Sequence, residues 1–163
     1  MGDSTKIKRS KLALFLNTAK KGGDPEWSLI GEGVTEQTIN YNPQSQEEIY
    51  VHQDSGVTDV ESYKPTIPTP MTAIKGDAVF DYVDNIRKKR AVLADAETEV
   101  CIVYLYEKDQ AEAYPAEKNK CSIQIDDFGG EGGKAAKINF TINLNGDPVL
   151  GTFNPKTKAF AAQ

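Results

Sequence analysis

The sequence predicts a mainly β fold with antiparallel connections, a sandwich or barrel flanked by one α-helix. Three observations carry this. Ile138, Phe140, Ile142 and Leu144 alternate with Asn139, Thr141, Asn143 and Asn145, a period of two that gives a strand one apolar and one neutral polar face. About seven to nine short β-type runs are separated by Gly, Pro, Asn and Asp turn signals. One segment alone repeats at helical spacing, with Val79, Phe80, Val83 and Ile86 on one face.

Taken in order, residues 1–10 read as an exposed basic arm. Their basic-then-apolar pattern is superficially like a secretion signal, but the apolar part is only about five residues long and no small-residue cleavage site follows. "KLALFLN" is a first strand and "PEWSLIGEGV" a short second one, ended by Gly31 and Gly33. "TEQTINY" and "QEEIYV" are two short runs with "NPQS" as a turn between them, because Pro presets its own φ and Asn tolerates turn geometry. "HQDSGVTDVESYKP" shows no sustained period and is expected to be a long loop over 52–64, of the kind that usually carries function.

Prolines restrict "TIPTPMTAIK" to an edge strand or extended connector. The helix is expected over 77–91, with Asp77 capping its free N–H groups. Asp81 and Asp84 lie early in it and Arg87, Lys88, Lys89 and Arg90 late, which suits the helix dipole. "TEVCIVYLYEK" and "KCSIQIDDF" are further strands, followed by the alternating strand, which "NGDP" should end. "VLGTF" and "KAFAA" then finish the chain as separate short strands.

The stretch "IDDFGGEGGKAAKINFTINLN" imitates three nucleotide motifs, and each fails. The dinucleotide fingerprint needs its glycines to open a helix whose N-terminus holds the pyrophosphate, whereas here they open an alternating strand. A phosphate loop needs Gly where Phe128 stands and Ser or Thr where Ala135 stands. Asp127-Phe128-Gly129 copies a kinase tripeptide without the catalytic loop that gives it meaning. A glycine turn between two strands accounts for the segment.

His52 is the only histidine, which excludes two-histidine chemistry and reads as a solvated loop residue. Asp126 and Asp127 are adjacent in a strand and should point to opposite faces, so they should not converge as an acid/base pair. Asn139-Phe140-Thr141 matches a glycosylation acceptor that, with no secretion signal, has no use. Cys101 and Cys121 sit in strand-like runs and are expected to be buried free thiols. No catalytic, cofactor-binding or metal-binding residue is predicted.

Hydrophobic residues make up 39% and charged residues 26%, a globular composition. The longest apolar run, "VCIVYLY", is far short of the ~20 residues of a spanning helix, so a soluble chain is expected. Net charge is −5, which argues against a cationic grip on nucleic acid. Its distribution is uneven: between Lys21 and Lys64 there is no Lys or Arg, while Glu36, Glu47, Glu48, Asp54, Asp59 and Glu61 all fall there. Positive charge collects in the arm and in "RKKR", which reads as a solvated helix end or an ion-pairing face rather than a nucleic-acid patch.

Nearly the whole chain resembles the major tail (tail tube) proteins of long-tailed bacteriophages and prophages of Gram-positive bacteria. The most specific pieces are "GEGVTEQTINYNPQ", "DSGVTDVESYKPTIPTP" and "GDPVLGTFNP". The resemblance implies a single tail tube domain of two packed β-sheets flanked by a helix. Six copies would close into a ring, and rings would stack into a tube around a tape-measure protein. That tube would be capped by terminator and baseplate or tip proteins, assembled in the host cytoplasm, carried in the virion, and would conduct DNA without gripping it or a membrane. It implies no enzyme activity and no cofactor, and favours a non-contractile tail.

On that resemblance, His52, Asp54, Ser55, Asp59, Glu61 and Tyr63 belong to a loop that reaches a neighbouring subunit or ring. Glu36, Thr38, Asn40, Glu47 and Glu48 are candidates for the lumen lining, with Asn139, Thr141 and Asn143 as a second set. Lys6, Lys8, Arg9, Arg87, Lys88, Lys89 and Arg90 offer opposite charge for such contacts. The alternatives are the same tube in a tail-like bacteriocin or domesticated prophage particle, and a β-sandwich surface or carbohydrate-binding module, for which Trp27 alone is a weak aromatic platform.

Overall fold

The computed structural model describes residues 4–107 and 112–163. The first three residues of the expected arm, and Lys108 at the end of a predicted strand, lie outside them. The fold is mainly β, with two antiparallel sheets and one α-helix. The larger sheet holds β1 (Leu12–Asn17), β2 (Trp27–Leu29), β5 (Thr66–Thr72), β6 (Glu97–Tyr104), β7 (Tyr114–Gly129), β8 (Lys137–Asn154) and β9 (Ala159–Ala162). Its order is β2-β1-β6-β7-β8-β5, with β9 added beside the far end of β8. The smaller sheet is a hairpin of β3 (Pro43–Glu48) and β4 (Val57–Tyr63).

The continuous apolar runs of β1 and β6 have a plain cause: both faces of these central strands are buried. Leu14, Leu16, Val100 and Ile102 face one core, while Ala13, Phe15, Cys101 and Val103 face the other. The first core also takes Ile67 and Met71 from β5, the apolar face of β8, and the helix α1 (Ala78–Lys89). In the second, Phe15 of β1 and Phe153 of β8 touch, with ring centroids 4.5 Å apart. Those strands are three places apart in the sheet order, so the sheet must curl to bring them together.

The helix follows its sequence signals. Phe80 N donates to Asp77 Oδ2 at 3.1 Å, and Val79, Phe80, Val83 and Ile86 are the buried residues. Arg90 ends it in the left-handed region at φ 46°. β5 is an edge strand, and its alternation explains its prolines. Thr66 N and Thr72 N donate away from β8, to Asn40 O and Gly33 O, so Pro68 and Pro70, in phase with them, leave no ladder bond to β8 unmade.

Three expectations about connections are corrected. "NPQS" is not a turn between two strands: the turn is Asn42 alone, at φ 46°, and Pro43 opens β3, the strand position where a missing N–H costs least. "TEQTINY" forms no strand and runs beside β5 with a single bridge, Asn40 to Thr66. Much of the expected 52–64 loop is β4, paired to β3 from Glu48↔Val57 to Pro43↔Tyr63.

"NGDP" does not end β8 either, and "VLGTF" continues it. The register passes from Lys120↔Asn145 to Lys118↔Val149, so the single residue Asn119 of β7 faces three residues of β8. Gly146, at φ 71°, lets Asp147 and Pro148 bulge out without breaking the strand. The glycine cluster does connect β7 to β8, as predicted, with Gly133 at φ 83° in the turn.

Cys101 and Cys121 are buried and free, one in each core, so the sheet itself separates them. Burial pushes both thiols up from their ordinary value of 9.0 to about 12. The folded protein should therefore stay unreactive to an aromatic disulfide reagent at pH 8, and urea should release two equivalents. The raised folded values also fix the sign of the alkaline limb. Stability is intact below about pH 9, where unfolded thiols are still protonated, and falls as pH rises towards 12, measurable by denaturant midpoints.

Candidate functional site

The hairpin β3–β4 carries almost no burial. Every residue of β3 is exposed, and in β4 only Val57 is partly covered. Its tip adds exposed Ile49, Tyr50 and Val51, and Val60 and Tyr63 are exposed along β4. A lone two-stranded hairpin is marginal in water, and its open edges are a template for pairing. The whole chain shows the same excess: it exposes 10887 Å², whereas a compact monomer of 17.9 kDa exposes about 8,000 Å².

The base of the hairpin is held firmly. Asn42 Nδ2 donates to Lys64 O and to Thr66 Oγ1, both at 3.1 Å, and Tyr41 meets Tyr63 edge to face. Between this base and the β7–β8 ladder lies a cleft of about 720 Å³. Leu144, Tyr41 and Tyr63 give it apolar wall, and Glu61, Glu117 and Asp147 give it acid. Two irregularities place Glu61 and Asp147 there. The hairpin register shifts between Gln44 and Ser45, leaving Glu61 unpaired, and the β8 bulge presents Asp147. Tyr104 donates to Glu117. Burial, then that carboxylate, pushes the Tyr104 hydroxyl far above its usual range, and burial, then Glu117, raises Tyr41.

A second polar surface lies on β7 and β8. The expectation that Asp126 and Asp127 point apart is wrong, because the register shifts between Ile125 and Asp127. That bulge turns both carboxylates to the face of Asn139, Thr141 and Asn143. Thr141 Oγ1 donates to Asp126 at 2.7 Å, Asn139 Nδ2 to Asp127 at 2.6 Å, and Gln124 Nε2 to Asp126 at 2.7 Å. The face expected to be neutral is therefore bonded to two carboxylates.

The sequence-predicted residues fall in several places. His52, Asp54 and Ser55 lie in the hairpin turn, where His52 stacks on Tyr50, and Asp59, Glu61 and Tyr63 are on β4. Glu47 and Glu48 end β3 opposite Thr58 and Val57, so they join the hairpin set. Glu36, Thr38 and Asn40 are exposed in the segment beside β5 rather than on the hairpin strands, and Asn139, Thr141 and Asn143 are on β8.

The basic residues divide by what they already touch. Arg9 donates to Gln37 O at 3.0 and 3.2 Å and to Leu12 O at 2.7 Å, pinning the arm to its own subunit. Arg87 and Lys88 pair with Asp84, and Arg87 lies 4.2 Å over the Phe128 ring. Among the described residues Lys6, Lys8, Lys89 and Arg90 form no ion pair. Trp27 is 5% exposed, in the second core, and so cannot serve as a glycan platform.

The sequence does not show Asp147 in the cleft or the convergence of Asp126 with Asp127, since bulges leave no periodic trace, and Glu117 reaches the cleft only through the pairing of β7 with β6 and β8. The apolar tip Ile49-Tyr50-Val51 is legible as composition, but it lies beyond the end of β3 in the turn. Among the described residues no group of three or more His, Cys, Asp and Glu is placed to hold a metal ion, and no helix is long and apolar enough to cross a membrane.

No protein-family model and no curated protein matches the chain. Solved structures do. One chain comes from a structure described as the tail of an empty GTA particle computed with helical refinement and C6 symmetry. The TM-score is 0.62 at 12% identity, over 96% of this chain and 100% of that one. Another comes from the six-fold symmetrised baseplate of the anti-feeding prophage, with TM-score 0.50 at 10% identity, over 91% and 97% of the two chains. At these identities the likeness is one of fold.

Proposed function

We propose that this chain is the repeating subunit of a phage-type tail tube. Copies close into six-fold rings, the rings stack around a tape-measure protein, and terminator and baseplate proteins cap a conduit for DNA. The observation that carries this reading is the hairpin β3–β4, a two-stranded element with an exposed apolar tip, Ile49-Tyr50-Val51, that nothing among the described residues covers. A neighbouring copy supplies that cover and also closes the open edges of β2 and β9.

The fold likeness to chains of a C6 tail and a six-fold baseplate supports the same reading. Charge supports the conduit: no cation lies between Lys21 and Lys64, so a hairpin facing the lumen offers phosphate no grip. In this arrangement Glu47, Glu48, Asp59 and the Asp126–Asp127 face are the surfaces available to a wet channel, and the apolar tip reaches the next subunit or ring.

Negative-stain microscopy with sedimentation on purified protein tests the reading. Six-fold rings or hollow tubes, appearing as concentration rises, are expected. A chain that stays monomeric at every concentration and salt would overturn it, and affinity for a glycan in that monomer would favour a surface-binding module.

A further inference from the structure

We infer that the acidic cleft at the hairpin base receives a specific piece of a second copy of this chain: the segment after its helix, Lys89 to Leu93. This rests on the self-assembly proposed above and names one contact within it.

The cleft asks for an apolar group flanked by cations. Its apolar wall includes Tyr41, Tyr63 and Leu144, and its acids are Glu61, Glu117 and Asp147, with no Lys or Arg on its lining. The segment after α1 has that composition. Lys89 and Arg90 are exposed and, among the described residues, make no ion pair. Val92 and Leu93 follow at 66% and 85% exposed.

The shape of this segment is set before binding. Arg90 and Leu93 both sit in the left-handed region, at φ 46° and 53°, which is unfavourable for leucine and persists only where the surroundings hold it. The surroundings do so: Arg90 N bonds back to the last helical turn, and buried Ala96 anchors the short 3-10 turn Leu93–Ala96. A preformed loop that displays two aliphatic side chains beside two cations loses little entropy on docking.

The chain cannot fill its own cleft this way. The helix end lies against Ile123 and Ile125 of β7, while the cleft lies at Glu117 and Asn119 of the same strand. That is roughly six residues along the strand, or about 20 Å. Cleft and segment are thus two different surfaces of one subunit, and their pairing is head-to-tail, the type that generates rings or stacks rather than closed dimers. The other cationic segment, the arm, already has a place. Ile7, Lys8 and Arg9 line a neighbouring hollow with Tyr104 and Tyr106, and Arg9 is fixed to Gln37.

Complementary charge reversal tests the pairing. One variant carries Glu61→Lys and Asp147→Lys, the other Lys89→Glu and Arg90→Glu. All four positions are exposed, so both variants should melt within a few degrees of the parent. Each alone should need at least tenfold more protein to assemble, and an equimolar mixture should assemble as the parent does, in alternating order. Variants that assemble normally alone, or a mixture that restores nothing, would overturn the contact. If the parent still forms tubes in that case, self-assembly stands without it.

Cross-linking reads the contact directly. Tyr63→Cys with Val92→Cys should give a ladder of oligomers on oxidation, since both native thiols are buried. A ladder from Tyr63→Cys with Ile7→Cys in its place would assign the cleft to the arm and refute the inference. A parent that never assembles, with no ladder from either pair, would refute both the contact and self-assembly.

Discussion

Excising residues 45–61 and closing the gap with a three-residue Gly-Asn-Gly turn should leave a folded monomer that no longer assembles. The retained ends, Gln44 and Ser62, are paired in the parent, and the base stays locked by Asn42 and by Tyr41 against Tyr63. The excised residues are exposed, apart from the partial cover on Val57, and belong to neither core. Surface substitutions away from packed features shift stability by about 0.5 kcal/mol, and the shorter turn costs less entropy to close than the parent loop. Thermal melting within a few degrees of the parent, with a complete loss of sedimenting polymer, is the expected pair of results. Normal tubes from this variant would show that the hairpin is not an assembly element. A loss of several kcal/mol would show that it is part of the monomer fold.

The opposite outcome is expected for Phe153→Ala: a large loss of stability, with assembly lost only as a consequence. Phe153 is fully buried, 4.5 Å from the Phe15 ring and 6.3 Å from that of Trp27 at near right angles. It is the side chain through which the far end of β8 packs onto β1 and β2. Phe→Ala in such a site costs about 3–5 kcal/mol through lost transfer energy and the cavity left behind. For a chain of this length that lowers Tm by roughly 10 °C. Phe160→Ala, at a partly exposed position on β9, should cost clearly less. Equal losses at the two positions would mean that the second core does not hold the curl of the sheet.

These predictions separate two kinds of residue that look alike in the sequence. "VCIVYLY" and "IYV" are both short apolar runs. The first supplies β6, buried on both faces between two cores, and the second lies exposed at the hairpin tip. Nothing local distinguishes them, because burial is decided by what the rest of the chain brings alongside. The same holds for the carboxylates. Asp126 and Asp127 are neighbours that alternation sends to opposite faces, and one bulge puts them on the same face.

Turn chemistry was legible as chemistry but not as consequence. Asn42-Pro43 and Asn145-Gly146-Asp147-Pro148 both carry the residues that reverse a chain. In the structure one opens a strand and the other bulges within one. A turn signal says which backbone angles are cheap. Whether the chain reverses there depends on the ladder partners, and the long β7 lies beside β8 on both sides of the bulge.

By itself the sequence determined the period-two strand of β8, the helix with its cap and buried stripe, the restriction of β5 to an edge strand or extended connector, and the burial of both cysteines. Each depends on spacing within a few residues and on the chemistry of single side chains. Only the tertiary structure decided that the sheet curls to form two cores, that the region after Asn42 is a bare hairpin, and that Glu61, Glu117 and Asp147 meet in one cleft. Those features join residues far apart in the chain through strand register, and a shift of one position at a bulge changes which face every later side chain occupies.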